Sequence, residues 1–178
     1  MMKKQVLAVV SSPRVGSNSE MLVDRFLHGA EEAGHSVEKL TLRGKKIAPC
    51  LGCEACLKNG GVCVQKDDMA EINKKILAAD VIVLSTPTYY YSISAQLKLV
   101  IDRTLCNQGK MEKKEFYFVV TAADGAAAMD TVVADLNGFV ACVPGSVVRG
   151  EVRGSAFGRG EIAGSPALDE AYRLGKEC

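Results

Sequence analysis

The chain begins its first predicted strand with QVLAVV, residues Gln5–Val10, and runs directly into SSPRVGSNS, residues 11–19. The apolar, β-branched run favours a strand that is covered on both faces. Apolar residues then recur on one face from Ser17 to Ala33, which predicts an amphipathic helix that ends at Gly34. A buried strand, a polar loop and a helix in this order form the first unit of an α/β protein.

The same alternation continues along the rest of the chain. Predicted strands follow at residues 36–42, 80–85, 115–121 and 139–152, and the last is interrupted at Pro144 and Gly145. Predicted helices lie at residues 68–78, 94–106, 126–136 and 167–176. Repeated strand–helix units with short loops predict a doubly wound, five-stranded parallel sheet with helices on both faces and its ligand at the carboxyl ends of the strands.

Composition limits the functions that this chain can have. Its 178 residues, 48% of them hydrophobic, suit one domain spanning residues 1–178, in which the cysteine-rich segment 43–67 is a loop insertion on the site face. Lys and Arg number 22 and Asp and Glu 21, so no strong field would attract nucleic acid or an anionic membrane. The first apolar run is too short for a signal peptide, and seven cysteines, an odd number, indicate a reducing compartment. We therefore expect a cytoplasmic protein.

The first loop has the chemistry of a phosphate site. Hydroxyls, one amide and free backbone N–H groups converge at a helix N-terminus, and Arg14 adds a bidentate cation. The candidate phosphate ligands are Ser11, Ser12, Arg14, Ser17, Asn18 and Ser19. Neither G-x-G-x-x-G nor G-K-[ST] is present, which favours a terminal monophosphate over a dinucleotide or a nucleoside triphosphate. The alternative is a capping box formed by Ser17 and Glu20, with the other serines merely in a turn.

Two further loops follow central strands and could contact a flat ring. The first places three phenols at the predicted site face, and the second supplies small residues whose backbone can approach the polar edge of a ring. Their members are Pro87, Thr88, Tyr89, Tyr90, Tyr91 and Ser92 in the first loop, and Thr121, Ala122, Ala123 and Asp124 in the second. The alternative is that one or two of the tyrosines pack as ordinary core.

Four cysteines, Cys50, Cys53, Cys56 and Cys63, are spaced C-x2-C-x2-C-x6-C. This compact spacing favours a [4Fe–4S] cluster over structural zinc, whose ligands usually come from two separated C-x2-C pairs. A metal-free loop of redox-active or simply reduced thiols is the other alternative. The remaining cysteines, Cys106, Cys142 and Cys178, are expected to be free thiols.

Together these segments resemble the flavodoxin-like NAD(P)H-dependent FMN reductase superfamily. The cysteine segment, with Asp67-Asp68-Met69 after it, resembles the iron–sulfur flavoprotein branch. The resemblance implies strand order 2-1-3-4-5, the FMN phosphate at residues 11–19 and the isoalloxazine between residues 87–92 and 121–125. It also implies a homodimer or homotetramer in which the four clustered cysteines are the cluster ligands.

We therefore predict an FMN oxidoreductase that takes electrons from NAD(P)H or another reduced donor, by hydride transfer to flavin N5, and relays them singly through a [4Fe–4S] cluster. The flavin carries the chemistry, so no catalytic acid or base is assigned to the protein. The acceptor would be a redox partner protein or a small molecule. The alternative is a flavodoxin-like electron shuttle, or a thiol-based redox sensor, without a cluster and without reductase turnover.

Overall fold

The computed structural model describes residues 2–178 and contains five strands, six α-helices and a 3-10 helix. The strands are β1 (Gln5–Val10), β2 (Ser36–Thr41), β3 (Val81–Pro87), β4 (Glu115–Ala122) and β5 (Val147–Ser155). The helices are α1 (Asn18–Glu32), α2 (Ala55–Lys58), α3 (Met69–Ala78), α4 (Ala95–Arg103), α5 (Ala126–Ala141) and α6 (Ala167–Glu177), and the 3-10 helix is Thr104–Asn107.

The strands form one parallel sheet in the order β2-β1-β3-β4-β5. This confirms the predicted fold class and the strand order implied by the resemblance. In β1, Val10 pairs with Thr41 of β2 and with Ser85 of β3, so these three strands reach the same edge together. The loops that follow them are brought together at that edge.

Each face of the sheet has its own apolar core. Residues Leu84 and Phe118 point to the face covered by α3, α4 and α5, while Val83 and Tyr117 point to the face covered by α1 and α6. Within β3, and likewise within β4, neighbouring residues therefore pack into the cores on opposite faces of the sheet, as the two-residue period of a strand requires. No helix within residues 2–178 combines the length and the apolar character needed to cross a bilayer.

The predicted strand at residues 139–152 was wrong in its first half. Helix α5 continues through Ala141, and β5 begins only at Val147. Val140 is buried on the same stripe of α5 as Val133 and Leu136, so this short apolar run follows the helical period and not the strand period. The expected loop at residues 86–92 also begins later, because β3 extends through Pro87.

Helices α1 and α6 cross in close contact at two glycines. A β-carbon added to Gly175 would lie 2.0 Å from the Phe26 carbonyl oxygen, and one added to Gly29 would lie 2.3 Å from the Tyr172 carbonyl oxygen. Both distances are far below van der Waals contact. The two backbones can therefore approach this closely only because neither residue has a side chain.

We predict that Gly175→Ala lowers the free energy of unfolding by about 1–3 kcal/mol or more, because the methyl group must push α6 away from α1. Gly138→Ala is the matched control: Gly138 is also in a helix but has open space around its β-carbon position. It should raise the free energy of unfolding by about 0.5–1 kcal/mol through helix propensity. Urea denaturation measures both, and equal effects from the two variants would contradict the proposed close contact.

Candidate functional site

The loop between β1 and α1 is shaped by a charged hydrogen-bond network. Ser17 caps α1 by accepting the Glu20 N–H at 3.2 Å, and the Glu20 carboxylate accepts the Gly16 N–H at 3.1 Å. Burial raises the pKa of Glu20, but the Gly16 N–H and the cations Lys39 and Arg43 outweigh burial and lower it. Half of the capping box considered as the alternative is therefore present, with the return bond going to Gly16 and not to Ser17, and an ionised carboxylate holds the loop from behind.

Ser11 lies beneath this loop and does not line its surface. Its hydroxyl donates to the Ser85 carbonyl at 2.8 Å and accepts from the Ser94 hydroxyl at 2.7 Å, and its side chain is fully buried. The Ser94 N–H in turn donates to Thr86 Oγ1 at 3.0 Å. These bonds connect β1, β3 and the start of α4, so Ser11 supports the floor of the site.

A cleft of about 370 Å³ opens at the carboxyl ends of β1, β3 and β4. It brings most of the predicted ligands together: Ser12, Arg14, Ser17, Asn18, Ser19, Pro87, Thr88, Tyr89, Thr121, Ala122 and Ala123. An adjoining hollow shares Thr88, Tyr89, Ala122 and Ala123 with the cleft and adds Tyr90, Tyr91 and Asp124. Ser92 lies outside both, and its hydroxyl donates to Asp135 at 2.8 Å. The phosphate loop and the two ring loops therefore line one continuous depression.

Thr88 is the residue whose chemistry points most directly to a ligand. Its Oγ1 is a buried side-chain oxygen with no hydrogen-bond partner within residues 2–178, and the residue lines both the cleft and the hollow. A buried polar atom without a partner costs free energy. A polar group of a bound molecule would supply the missing partner.

The tyrosine loop is a tight, strained turn. Tyr89 and Ser92 exchange backbone hydrogen bonds at 3.0 and 3.1 Å, which leaves Tyr90 and Tyr91 as the two central residues. Both have positive φ, 49° and 62°, in a turn that usually carries Asn-Gly. Tyr90 and Tyr91 are exposed. The strained turn therefore places their two rings in solvent beside the cleft and not in the apolar core.

One wall of the cleft comes from residues that the sequence analysis did not assign to the site. We call residues 156–162 the roof loop; it contributes Ala156, Phe157, Gly158 and Arg159 to the lining. The guanidinium of Arg159 comes within 3.9 Å of the position a β-carbon of Gly16 would take, so a second cation faces the phosphate loop beside Arg14. The one sequence feature that could have indicated this cation is the arginine between Gly158 and Gly160, shortly after the last strand.

The Asn18 side chain is what holds the roof loop over the cleft. Its Nδ2 donates to the Gly158 carbonyl at 2.8 Å, while its Oδ1 accepts the N–H groups of Gly160 at 2.9 Å and Ile162 at 3.4 Å. The predicted phosphate ligand Asn18 thus lines the cleft, but its amide group is already bonded to protein. Its backbone N–H, in the first turn of α1, has no acceptor within the helix.

The cysteine segment forms the loop between β2 and α3, and within it α2 is a single helical turn. Cys50 and Cys53 are exposed, whereas Cys56 and Cys63 are partly buried. Four thiols are a donor set that suits iron–sulfur clusters or zinc. No three His, Cys, Asp or Glu residues among residues 2–178 are grouped closely enough to hold a metal ion. The donor chemistry therefore fits a cluster, while the four thiols are not assembled around a common point.

The three outlying cysteines are also free thiols. Cys106 and Cys178 are buried and Cys142 is exposed. Burial, together with the nearby Cys56 and Cys63, raises the pKa of the Cys106 thiol, and burial raises that of Cys178 to about 11. Burial therefore lowers the thiolate fraction of both thiols, and with it their reactivity.

Comparison with known proteins decides the family. The profile of the NADPH-dependent FMN reductase family matches residues 4–156, which is most of the chain. The chain belongs to this family. The resemblance inferred from the phosphate, tyrosine and cysteine segments is thereby confirmed.

Several relatives of this FMN reductase family member are iron–sulfur flavoproteins. One from Archaeoglobus fulgidus is 34% identical over 168 residues, which cover 90% of this chain and 81% of the relative. Another from the same organism is 39% identical over 101 residues, 57% of this chain and 46% of the relative. One from Methanocaldococcus jannaschii is 40% identical over 100 residues, 56% of this chain and 51% of the relative. In the last two cases the chain spans about half the length of the curated relative it matches.

Solved structures support the fold of this family member. The NAD(P)H:quinone oxidoreductase from Methanothermobacter marburgensis superimposes with a TM-score of 0.77 at 18% identity, covering 99% of this chain and 96% of that one. The FMN-dependent NADH-azoreductase from Bacillus anthracis, solved in complex with FMN, gives 0.69 at 14% identity and covers 99% and 97%. At these identities the likeness establishes the fold alone.

We predict that Asn18→Ala releases the roof loop. Losing three hydrogen bonds, each with a net value of about 0.5–1.5 kcal/mol, should speed amide exchange at Gly160 and Ile162 by about tenfold or more. Hydrogen–deuterium exchange of a peptide covering residues 155–165 provides the measurement. Asn137→Ala is the control, because the Asn137 amide bonds only within α5, to the Val133 carbonyl. Unchanged exchange in Asn18→Ala would show that other contacts hold the loop.

Proposed function

We propose that the protein is an FMN-dependent oxidoreductase that takes electrons from NAD(P)H or another reduced donor. The observation that carries this proposal is the unpartnered Thr88 Oγ1 in a cleft that joins a cationic phosphate loop to an aromatic turn. One end of the cleft suits a phosphate and the other a flat, polar-edged ring. Family membership independently favours FMN as that molecule.

The residues at each end of the cleft would hold different parts of FMN. Arg14, Arg159 and the N–H groups at the start of α1 suit the phosphate, because guanidinium groups and a helix N-terminus both stabilise an anion. The segments around Thr88 and Ala122 suit the ring, since β3 and β4 end there side by side. When bound, FMN supplies hydride acceptance from a two-electron donor and release of single electrons.

The remaining lining residues leave the redox chemistry to the flavin. Among residues 2–178, those that line the cleft include two arginines but no carboxylate and no imidazole. Placement of the ring and exclusion of side reactions are thus the tasks of the protein. The adjoining hollow beside Tyr90 and Tyr91 is open enough for a nicotinamide to approach the ring transiently.

We further propose that Cys50, Cys53, Cys56 and Cys63 bind a [4Fe–4S] cluster, which would supply one-electron transfer to a redox partner protein or a small acceptor. The compact thiol spacing and the iron–sulfur flavoprotein relatives support this. We also propose that the protein works in the cytoplasm, where thiols stay reduced, as a homodimer or homotetramer.

A second candidate function is a thiol-based redox sensor, or an electron shuttle without reductase turnover. The exposure of Cys50 and Cys53 favours the sensor, because accessible thiols react with oxidants. Steady-state oxidation of NADH and NADPH by the anaerobically purified protein separates the candidates. Turnover with an added acceptor supports the oxidoreductase, and stoichiometric reduction without turnover supports the shuttle or sensor.

We predict that two variants both weaken FMN binding, but that only one of them changes the stability of the FMN-free protein. Arg14→Ala should weaken FMN by about 1.5–3 kcal/mol, the value of a charge-assisted hydrogen bond, and should leave unfolding unchanged because Arg14 is exposed. Thr88→Val should weaken FMN by about 0.5–1.5 kcal/mol, yet raise the stability of the FMN-free protein by removing a buried unpartnered hydroxyl. Fluorescence titration and urea denaturation measure the two quantities.

Arg173→Ala is the control for these variants, since Arg173 lies on α6 and, among residues 2–178, pairs only with Glu170 and Glu177. Its FMN affinity should equal that of the unchanged protein. Protein that stays colourless after incubation with FMN would overturn the proposed function.

We predict about four iron atoms per chain after anaerobic reconstitution with iron and sulfide. Replacing any of the four clustered cysteines with serine should lower the iron content, because each would remove one cluster ligand. Cys106→Ser, Cys142→Ser and Cys178→Ser are the controls and should retain iron. Equal losses from the control variants, or zinc in place of iron, would contradict the cluster assignment.

A further inference from the structure

The cysteine loop is closed at its base by a ring of hydrogen bonds around one residue, Ala48. The Ala48 N–H donates to Asp67 Oδ2 at 3.0 Å, and the Ala48 carbonyl accepts from an Arg103 guanidinium N–H at 2.7 Å. Arg103 also donates to both Asp67 oxygens, at 2.8 and 3.0 Å. The chain therefore enters and leaves the loop through contacts that meet at one side chain of α4.

This guanidinium is held in place by its own burial and pairing. Its side chain is 2% exposed and that of Asp67 12%, and the two groups make the parallel pair of bonds that arginine forms with a carboxylate. Removing one member of such a buried pair leaves the other as an uncompensated charge. The Lys98–Asp102 pair on the same helix is exposed, which makes it a natural comparison.

The second half of the loop, residues 55–67, rests on the segment that begins with Arg103. A second guanidinium N–H contacts the Cys63 sulfur at 3.5 Å, and Lys110 donates to the Gly60 carbonyl. Gly61 fits closely against the 3-10 helix, because a β-carbon there would lie 2.6 Å from the Cys106 carbonyl oxygen. Contacts at Cys63, Gly60 and Gly61 thus dock this half.

The first half of the loop, residues 49–54, has a different environment. Cys50 and Cys53 are exposed, and Leu51 between them is 67% exposed. Gly52 and Glu54 have positive φ, 63° and 56°. One half of the thiol set is therefore docked while the other half projects into solvent.

We infer that Arg103 is a positioning residue that fixes residues 55–67, and with them Cys56 and Cys63, before any metal binds. Only residues 49–54 then have to move for the four thiols to meet. The inference is about the loop without metal. It rests on the proposed function in one respect only: the cluster would be the reason why Cys56 and Cys63 need to be held in place. A failure of the cluster proposal is thus distinguishable from a failure of the positioning role.

The test is hydrogen–deuterium exchange of the full-length, FMN-loaded, metal-free protein. In the unchanged chain, amides of residues 55–67 should exchange about tenfold or more slowly than those of residues 49–54. Arg103→Gln should speed exchange in residues 55–67 by about tenfold or more, the factor for one lost charge-assisted hydrogen bond. Asp102→Asn is the matched control on α4 and should change neither segment.

Two further measurements separate positioning from a general loss of stability. Arg103→Lys keeps the positive charge but lacks the paired N–H groups of the guanidinium. Amides of residues 55–67 should therefore exchange faster in Arg103→Lys than in the unchanged protein and more slowly than in Arg103→Gln. Exchange in the β4 peptide, residues 115–122, should stay unchanged in both variants.

Equal exchange in the two halves of the unchanged protein would overturn the inference even if every variant failed to fold. Unchanged protection of residues 55–67 in Arg103→Gln would overturn it as well. Protection that depends on Arg103 in a chain that binds no iron after reconstitution would support the positioning role and refute only the cluster.

Discussion

Parallel pairing of β1 with both β2 and β3 is the constraint on which the rest of the structure depends. It places the carboxyl ends of three strands at one edge, and parallel β4 extends that edge. The phosphate loop follows β1, the cysteine loop follows β2, the tyrosine turn follows β3, and the small-residue loop follows β4. Four chemically different segments therefore begin at the same edge of the sheet. The sheet determines where the four loops lie, and each loop contributes its own functional groups.

The cleft itself is built more from backbone and hydroxyl groups than from charged side chains. Glu20 shapes the phosphate loop from behind, where Lys39 and Arg43 keep it ionised, so its charge does not face the ligand. Arg14 and Arg159 approach from the solvent side. An anion therefore meets cations and N–H groups while the carboxylate remains on the far side of the loop. Among residues 2–178, those that line the cleft include no carboxylate and no imidazole, whereas Asp124 lines the adjoining hollow.

Local sequence patterns predicted correctly those segments whose structure is determined by one hydrophobic period or one short motif. The run Gln5–Val10, the helix after it and the Ser17–Glu20 half of the capping box are all set by neighbours in sequence. Residues 139–141 were misassigned because a short apolar run satisfies the strand and helix patterns equally until its neighbours in α5 are known. Asn18 was predicted to line the site, but the roof loop and its attachment to Asn18 escaped detection for a different reason. Their bonds join residues 140 to 144 positions apart, and no local pattern encodes such a pairing.

The hydrogen bond between Arg103 and Ala48 also has a consequence for the order in which parts of the chain fold. These residues are 55 positions apart, and the guanidinium belongs to α4, which follows β3 along the chain. Closing a contact of this length costs more chain entropy than pairing β1 with β2, which lie close in sequence. During synthesis the cysteine segment therefore leaves the ribosome well before the side chain that anchors it. All four of its thiols are then open to oxidants and to stray metal ions. Cys56 and Cys63 become partly buried once α4 has been made and docked, whereas Cys50 and Cys53 stay exposed in the folded protein.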